Sequence, residues 1–227
     1  MPMKSWAYFF FNGFIMSFWV KTNSIVKRLF SNQIWDIPNT EKKVFLTFDD
    51  GPTPEITEWV LNVLQAHQIR ATFFCIGHNI EKHPELFKKV LAAGHQIGNH
   101  TFNHLKGWKT DNSTYIRNAK ACEDAIINYS EGKIDSRLFR PPYGKIKPSQ
   151  SRLLRKQGYK IIMWDVISMD FDKTITPEKC LQNVIENVEQ GSIIVCHDSV
   201  KAFGNLEYLL PKVIQNLQER GFRFEAL

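Results

Sequence analysis

Short apolar runs alternate with amphipathic stretches along the chain from residue 43 onward. Continuous apolar runs of four to six residues, without polar alternation, are typical of strands that are buried on both faces of a sheet. The pattern predicts seven strands, at residues 43–48, 71–76, 95–99, 137–140, 159–164, 192–196 and 222–226.

Between these runs, apolar residues recur at the i, i+3, i+4 and i+7 spacing of one helix face. Glycines at 94, 158 and 191 follow three of these stretches, as is typical after the last turn of a helix. The spacing predicts six helices, beginning near Ile56, Pro84, Ser113, Pro148, Pro177 and Asn205. Strands that alternate with helices pair in parallel through right-handed crossovers. The pattern leaves open whether the sheet is a short or incomplete barrel or an open doubly wound sheet.

The amino-terminal residues 6–20 are apolar and aromatic, but they are only about 15 residues long, whereas a membrane-spanning helix needs roughly 20. Asn12 and Gly13 interrupt the run, and no small-residue cleavage site follows it. Three interpretations stay open: a marginal or uncleaved export signal, an interfacial anchor with weak membrane association, or an upstream artefact with the true start at Met16.

A polar stretch at residues 36–43 contains a proline and reads as a linker. It divides the chain into an amino-terminal segment, residues 1–42, and one domain, residues 43–227. A domain of this size is large enough to build a hydrophobic core of its own.

Composition places the chain among soluble globular proteins, since 43% of its 227 residues are hydrophobic and 23% are charged. This excludes a disordered chain, a collagen-like fibre and a polytopic membrane protein. The net charge of +6 is mild and spread along the sequence, so it fits a solvated lysine-rich surface, or an anionic partner, better than nucleic-acid binding. Four cysteines without a CxxC pair exclude a disulfide framework and a zinc ribbon.

Unusual polar residues follow five of the predicted strands, in each case at the carboxyl end. The carboxyl ends of parallel strands in a barrel share one face, and active sites lie there. These residues are Asp49, Asp50, His100, His104, Arg140, Asp165, Asp170, His197 and Asp198. The remaining histidines are interpreted as solvated or structural: His67, His78, His83 and His95.

A candidate metal site stands out within this set. His100 and His104 are four residues apart, so in a helical turn both rings reach one ion, and Asp50 is the natural third ligand. Two histidines and one aspartate leave coordination positions open for water and substrate. Thr101 follows His100 where a zincin protease has glutamate, which excludes that class. Of the adjacent Asp49 and Asp50, one can bind metal while the other acts as a base; a plain Asp-Asp-Gly-Pro turn is the alternative.

Together these residues form five ordered motifs that resemble the polysaccharide deacetylases, which are carbohydrate esterase family 4 with a NodB-homology domain. The resemblance covers residues 43–227, and it implies a distorted, incomplete (β/α) barrel with about seven parallel strands. The motifs are TFDDGP at 47–52, HTFNH at 100–104, RPPYG at 140–144, the acidic segment at 165–170, and VCHD at 195–198.

The resemblance also implies roles for single residues. Asp49 is expected to act as the general base, held and tuned by Arg140. One divalent transition-metal ion, zinc above all, is expected to bind to Asp50, His100 and His104.

The other implied roles belong to substrate binding and acid catalysis. Pro141 and Tyr143 are expected to form the substrate and oxyanion site, with the Tyr143 backbone N–H as donor. His197 is expected to act as general acid, oriented by Asp170. Phe171 stands where the family often has tryptophan, a departure from the pattern that leaves the shape of the acetyl pocket open.

The function implied is removal of N-acetyl groups from an amino-sugar polysaccharide or oligosaccharide, of the chitooligosaccharide or peptidoglycan type. It acts on carbon–nitrogen bonds other than peptide bonds. The alternatives are an O-acetyl esterase on xylan-like glycans and a catalytically dead glycan-binding module.

The expected partner is an N-acetylated glycan and not nucleic acid, and the expected state is a monomer. The family favours the cell envelope or an extracytoplasmic location, whereas a true start at Met16 would favour the cytoplasm. Substrate choice is expected to depend on the loops at 106–112 and 200–204.

Overall fold

A computed structural model describes residues 19–132, 134 and 137–227 of the chain, and it shows a curled sheet covered by helices. Seven strands follow the order β5-β4-β3-β2-β1-β7-β6, every pairing between them is parallel, and β8 pairs with the start of β1. This confirms the predicted incomplete barrel. The strands are β1 Lys43–Asp49, β2 Thr72–Cys75, β3 Gln96–Asn99, β4 Leu138–Phe139, β5 Lys160–Ile161, β6 Val166–Ile167, β7 Ile193–His197 and β8 Arg223–Phe224.

Within the described residues, all six predicted helices are present, together with two short helices that were not predicted. Three of the helices begin with a proline, at Pro84, Pro148 and Pro177. Asp111 and Thr176 each cap the start of a helix by accepting a hydrogen bond from a backbone N–H group. The helices are α1 Ser24–Leu29, α2 Ile56–Ala66, α3 Gly77–Lys82, α4 Pro84–Ala92, α5 Asn112–Tyr129, α6 Pro148–Lys156, α7 Pro177–Ile185 and α8 Phe203–Glu219. α1 and α3 were not predicted, because six residues are too few to show an apolar period.

Strand β1 shows how the fold builds a polar site on an apolar base. Val44, Leu46 and Phe48 point to one face, where they join the main core cluster with the outer helices. The opposite face begins with Phe45, which packs with Phe74, Leu138, Ile162 and Ile193 in a separate cluster. The next residues on that face are polar, Thr47 and then Asp49. The inner side of the barrel therefore changes from apolar to polar toward the carboxyl end of the strand.

The predicted fifth strand continues further than its apolar run. Its first part, β5, pairs with β4, and its second part, β6, pairs with β7. Asp165 therefore lies beside the start of β7, where its backbone N–H donates to Ile193 and its carboxylate accepts from Ser192 at 2.5 Å. The expectation that Asp165 lies at the carboxyl face with the other polar residues is wrong, because the strand ends nearer to Asp170.

The amino-terminal strap, defined as residues 20–36, lies along the strand edges that β5 and β6 leave unpaired. Ile34 forms a parallel bridge with Ile162, and Lys21 forms an antiparallel bridge with Val166. Unpaired strand edges expose backbone polar groups, so these bridges complete the sheet at its two ends. The division of the chain at residue 42 stays a prediction. The predicted anchor, signal or artefact falls on residues 6–20, of which residues 6–18 lie outside the described part of the chain.

A buried ion cluster fixes the strap to the barrel. Lys21 and Lys27 donate to the two carboxylate oxygens of Asp165 at 2.8 and 2.6 Å. The Asp165 side chain is 3% exposed. Burial by itself would raise the pKa of Asp165, but the hydrogen bonds from Lys21, Lys27 and Ser192 outweigh burial and hold that pKa below its usual range. Within the described ranges, no helix is long and apolar enough to cross a membrane.

Candidate active site

A cavity of about 580 Å³ opens at the carboxyl ends of the strands. It gathers most of the predicted site residues on one face, as the parallel barrel requires. Those that line it are Asp49, Asp50, His100, His104, Tyr143 and His197. Arg140 and Asp170 lie directly behind this lining, each bonded to one of its members.

Arg140 is a fully buried cation whose position is fixed by three polar contacts. Its guanidinium donates to the Asp49 carboxylate and to the Thr47 hydroxyl, each at 2.7 Å, and to the Met163 carbonyl at 3.0 Å. The ring of Phe74 covers the guanidinium, with its centroid 4.1 Å away. A buried charge needs a partner of opposite sign, and Asp49 supplies it. Arg140 therefore holds one oxygen of Asp49 and keeps the carboxylate in one orientation.

Asp50, His100 and His104 converge with their ligand atoms within 4.8 Å of one another. The Oδ1 atom of Asp50 is 3.1 Å from His104 Nε2 and 3.6 Å from His100 Nε2. This Oδ1 is buried and has no hydrogen-bond partner. A buried carboxylate oxygen that faces two imidazole nitrogens is the arrangement that a cation satisfies. The donor set fits a divalent metal ion.

The contacts of His100 fix which ring nitrogen is available. Its Nδ1 lies 2.8 Å from the Arg140 carbonyl, which can only accept, so the proton is placed on Nδ1. Burial lowers the pKa of His100 to about 4, and the ring is neutral at neutral pH. Nε2 then carries a lone pair and faces Asp50, as a metal-binding histidine oriented by a backbone carbonyl does.

The backbone around this triad turns sharply and is not helical. The two histidines were expected to share a helical turn, but Thr101 and His104 have φ values of 62° and 55°, in the left-handed region. Asp50, Tyr143 and Met169 also have positive φ, at 81°, 60° and 67°. Left-handed conformations of residues other than glycine cost energy and cluster at functional sites. The two rings converge because the loop turns at these left-handed residues, and the four-residue spacing alone does not predict such a turn.

His197 lies beside Asp49, because the two residues are register partners on β7 and β1. Its Nδ1 is 2.7 Å from the Asp170 carboxylate, and its backbone N–H donates to the other oxygen of Asp170 at 2.8 Å. Burial would lower the pKa of His197, but the negative charge of the fully buried Asp170 outweighs it and raises this pKa to about 9. The ring is therefore protonated at neutral pH, with Nε2–H left as a donor.

Asp198 shapes the loop that carries the two aspartates. Its carboxylate accepts hydrogen bonds from the Gly51 backbone N–H at 3.0 Å and from the Thr57 hydroxyl at 2.5 Å. A side chain on Gly51 would meet this carboxylate, since a Cβ there would lie 2.0 Å from an Asp198 oxygen. The glycine after the Asp-Asp pair thus allows the close approach that holds Asp50 over the strand ends.

The predicted substrate and oxyanion residues take different places. Tyr143 stands at the cavity rim, with its ring centroid 4.6 Å from that of His104. Pro141 is buried and is not among the residues that line the cavity, and proline has no N–H to donate. Its carbonyl accepts from Gly144 at 3.0 Å and closes the turn that presents Tyr143.

Several functional neighbours have no clear signal in the sequence. Asn79, on the unpredicted helix α3, donates to the Asp50 carbonyl at 2.8 Å. Phe171 packs edge-on against His197, with the ring centroids 5.0 Å apart, so an aromatic side chain contacts this imidazole where the family often has tryptophan. His83, interpreted as solvated or structural, lines the cavity, as does Trp164.

The barrel and its site define a hydrolase of carbohydrate-esterase type, with a paired aspartate and histidine beside a candidate metal triad. The family model for polysaccharide deacetylases matches residues 36–162, which is more than half of the chain. The protein belongs to this family and is a polysaccharide deacetylase.

Two relatives and one solved structure are similar over most of their lengths. A peptidoglycan-N-acetylglucosamine deacetylase of Bacillus cereus is 34% identical over 192 residues, which are 84% of this chain and 88% of that protein. A chitooligosaccharide deacetylase of Azorhizobium caulinodans is 30% identical over 209 residues, covering 84% of this chain and 95% of that protein. The crystal structure of the Bc1960 peptidoglycan N-acetylglucosamine deacetylase matches with a TM-score of 0.82 and 31% identity, over 91% of this chain and 95% of that one.

Proposed function

We propose that the protein is a metal-dependent deacetylase that hydrolyses N-acetyl groups of an amino-sugar polymer or oligosaccharide, and not peptide bonds. The observation that carries this proposal is the pairing of Asp49 with His197 on adjacent strands, one held by Arg140 and the other by Asp170. One group is prepared to accept a proton and the other to donate one, beside the metal triad. The names of the relatives, which deacetylate peptidoglycan and chitooligosaccharides, support an amino-sugar substrate.

Asp50, His100 and His104 would hold the metal ion, and their mixed oxygen and nitrogen donors suit zinc. When bound, the ion supplies Lewis acidity, which lowers the pKa of water and polarises the acetyl carbonyl. A lone pair on His100 Nε2 and the unpartnered Asp50 oxygen are then both satisfied.

The residues of the chain divide the proton transfers between them. Asp49 takes a proton from the attacking water, while Arg140 keeps its carboxylate aimed at the cavity. The Tyr143 backbone N–H stabilises the negative charge that develops on the carbonyl oxygen. An amide nitrogen leaves poorly unless it is protonated, and His197, protonated at neutral pH, supplies that proton from Nε2. Asp170 stabilises the charged ring until the proton is transferred.

The direct test is acetate release from chitooligosaccharide, peptidoglycan glycan strands and acetylated xylan, with and without a chelator. We expect release from the two amino-sugar substrates, loss of that release with chelator, and recovery when Zn²⁺ is added back. Release from acetylated xylan alone would favour the O-acetyl esterase. Absence of release from every substrate by the zinc-loaded protein would contradict the proposal.

The role of Asp170 can be tested through the pH dependence of the reaction. In Asp170→Asn the carboxylate that raises the pKa of His197 is gone, so the ring loses its proton at lower pH. We expect the alkaline decline of kcat/KM in the zinc-loaded protein to move down by about 1 to 3 pH units, the usual effect of one close opposite charge. The matched control is Asp172→Asn, an aspartate of the same loop that bonds Thr174 instead. An alkaline limb that does not move would exclude His197–Asp170 as the acid.

A further inference from the structure

Two lysines meet beside the cavity on the side where Tyr143 forms the rim. Lys106 belongs to the loop after the histidine motif, and its Nζ lies 5.3 Å from the Tyr143 ring centroid. Lys145 follows the RPPYG motif, and its Nζ lies 5.3 Å from the ring centroid of Trp108. Burial, and next the positive charges of Lys106 and Lys109, lower the pKa of Lys145. The two loops thus bring like charges together.

Within the described residues, no carboxylate lies within ion-pair distance of these cations. In the part of the chain that the structure describes, no ion pair involves Lys106, Lys109 or Lys145. Lys21 and Lys27, by contrast, share the carboxylate of Asp165. Like charges at short range repel, so an arrangement that keeps them together without a counter-charge is suited to bind an anion.

The loops hold this arrangement firmly. Trp108 Nε1 donates to the Ile146 carbonyl at 3.2 Å, and Gln150, a fully buried residue, donates to the Gly107 carbonyl at 3.0 Å. Gly107 has no room for a side chain, since a Cβ there would lie 2.5 Å from the Lys145 carbonyl oxygen. The backbone segments that carry the two lysines therefore interlock, and a ligand does not have to order both loops on binding.

We propose that Lys106 and Lys145 form an anion subsite, which binds a carboxylate carried by the sugar next to the acetylated amino sugar. The inference rests on the proposed function. Tyr143 connects the two sites, because its ring contacts His104 of the triad on one side and Lys106 on the other. A polymer whose acetylated sugar occupies the cavity would continue past Tyr143 toward the lysines. An uncharged glycan offers this subsite nothing, so the protein prefers acidic glycans.

The carboxylate has two sources in an alternating glycan of N-acetylglucosamine and N-acetylmuramic acid. It can belong to the lactyl group of the muramic acid itself, or to a peptide attached there. Peptide-free strands present the lactyl carboxylate, whereas peptide-bearing strands present carboxylates of the peptide. Neutral chitooligosaccharide is the uncharged reference.

The experiment compares kcat/KM for these three substrates in Lys106→Gln, Lys145→Gln and the double variant. We expect kcat/KM for a charged substrate, divided by kcat/KM for the neutral substrate, to fall by about 3- to 10-fold for each lysine that is replaced. The fall should come from KM and not from kcat, as for a partly solvated charge-assisted hydrogen bond. The effect should disappear at 1 M salt, where screening acts over about 3 Å. Loss with only one of the two acidic substrates identifies the source of the carboxylate.

Lys156→Gln is the matched control, because this exposed lysine lies at the end of α6, outside the residues that line the cavity. Binding of peptide-free strands to Asp49→Asn protein, measured by calorimetry, separates this inference from the proposed function. If no substrate releases acetate but the lysine variants still weaken binding, the subsite stands and the proposed reaction fails. If the lysine variants left both the ratio of kcat/KM values for charged and neutral substrates and the binding of peptide-free strands unchanged, the proposal of an anion subsite would be overturned.

Discussion

Replacement of Asp49 by asparagine is expected to reduce turnover by a factor of about 10² to 10⁴, the usual contribution of a positioned general base. Asparagine keeps an oxygen that can accept the hydrogen bond from Arg140, so the geometry around the buried guanidinium is preserved. The variant loses the capacity to take a proton, and it also loses the negative charge that balances the buried Arg140 guanidinium. Steady-state acetate release from zinc-loaded protein measures the effect, and calorimetric titration with Zn²⁺ should show unchanged affinity.

Asp50→Asn is the natural counterpart, because the neighbouring aspartate faces the two histidines and not the arginine. We expect weaker zinc binding in this variant, with activity that recovers partly at high zinc concentration. If zinc binding collapsed in Asp49→Asn and survived in Asp50→Asn, the assignment of the two roles would be reversed.

A second large effect is expected on stability when both lysines of the strap are replaced. In the Lys21→Met, Lys27→Met variant the buried carboxylate of Asp165 loses both of its cations and keeps the Ser192 hydroxyl. Breaking a buried ion pair by removing one side costs about 3 to 5 kcal/mol, and the lower end applies because the lysine side chains are 28% and 22% exposed. Chemical denaturation at pH 7 measures the free energy of unfolding.

Two further variants show whether the buried charge causes the loss. Adding Asp165→Asn to the double variant should restore part of the stability, because no unpaired charge is then left. Lys43→Met is the matched control: its partners Glu41 and Glu225 are about half exposed, so we expect a much smaller loss of stability than for the strap lysines. Equal losses for Lys43 and for the strap lysines would contradict the account.

The ion cluster around Asp165 also makes the free energy of unfolding of the native protein depend on pH, in a direction that can be stated. The pKa of Asp165 is lowered in the folded state, so its contribution is complete above the unfolded value of about 3.9 and disappears as pH falls through the folded value. The difference in stability between the native protein and the double variant should therefore shrink in acid. A difference that stays constant down to low pH would exclude Asp165 as its source.

The sequence predicted most of the barrel because its strands are apolar on both sides, and a sheet covered by helices requires this. The sequence did not predict those strand pairings that depend on the local course of the backbone. Val166 and Ile167 form a strand of two residues inside an acidic segment, with no periodicity to detect. The pairing of Ile34 with Ile162 depends on which strand edges are free, and the polar sequence of the strap contains no sign of it.

The site was predictable where residues follow strands directly. Asp49, Asp50 and His197 come at the ends of β1 and β7, and parallel pairing brings them together from the topology alone. Contacts made by loops were not predictable. The approach of Lys145 to Lys106 depends on how two loops interlock, and Asn79 reaches Asp50 from a helix too short to recognise. Asp165 was misplaced because the end of an apolar run is not always the end of a strand.

The antiparallel direction of the strap determines where attached material would sit. The Val20 carbonyl accepts from Ile167 at 2.9 Å, and Val20 packs in the same cluster as Phe171, so the chain reaches the barrel from the cavity side. At the other terminus, the Leu227 backbone N–H donates to the Thr72 hydroxyl, at the first residue of β2 and the far end of the sheet. An affinity tag or a surface linker joined to Leu227 would therefore leave the cavity clear, whereas a fusion placed just before Val20 would stand close to the cavity.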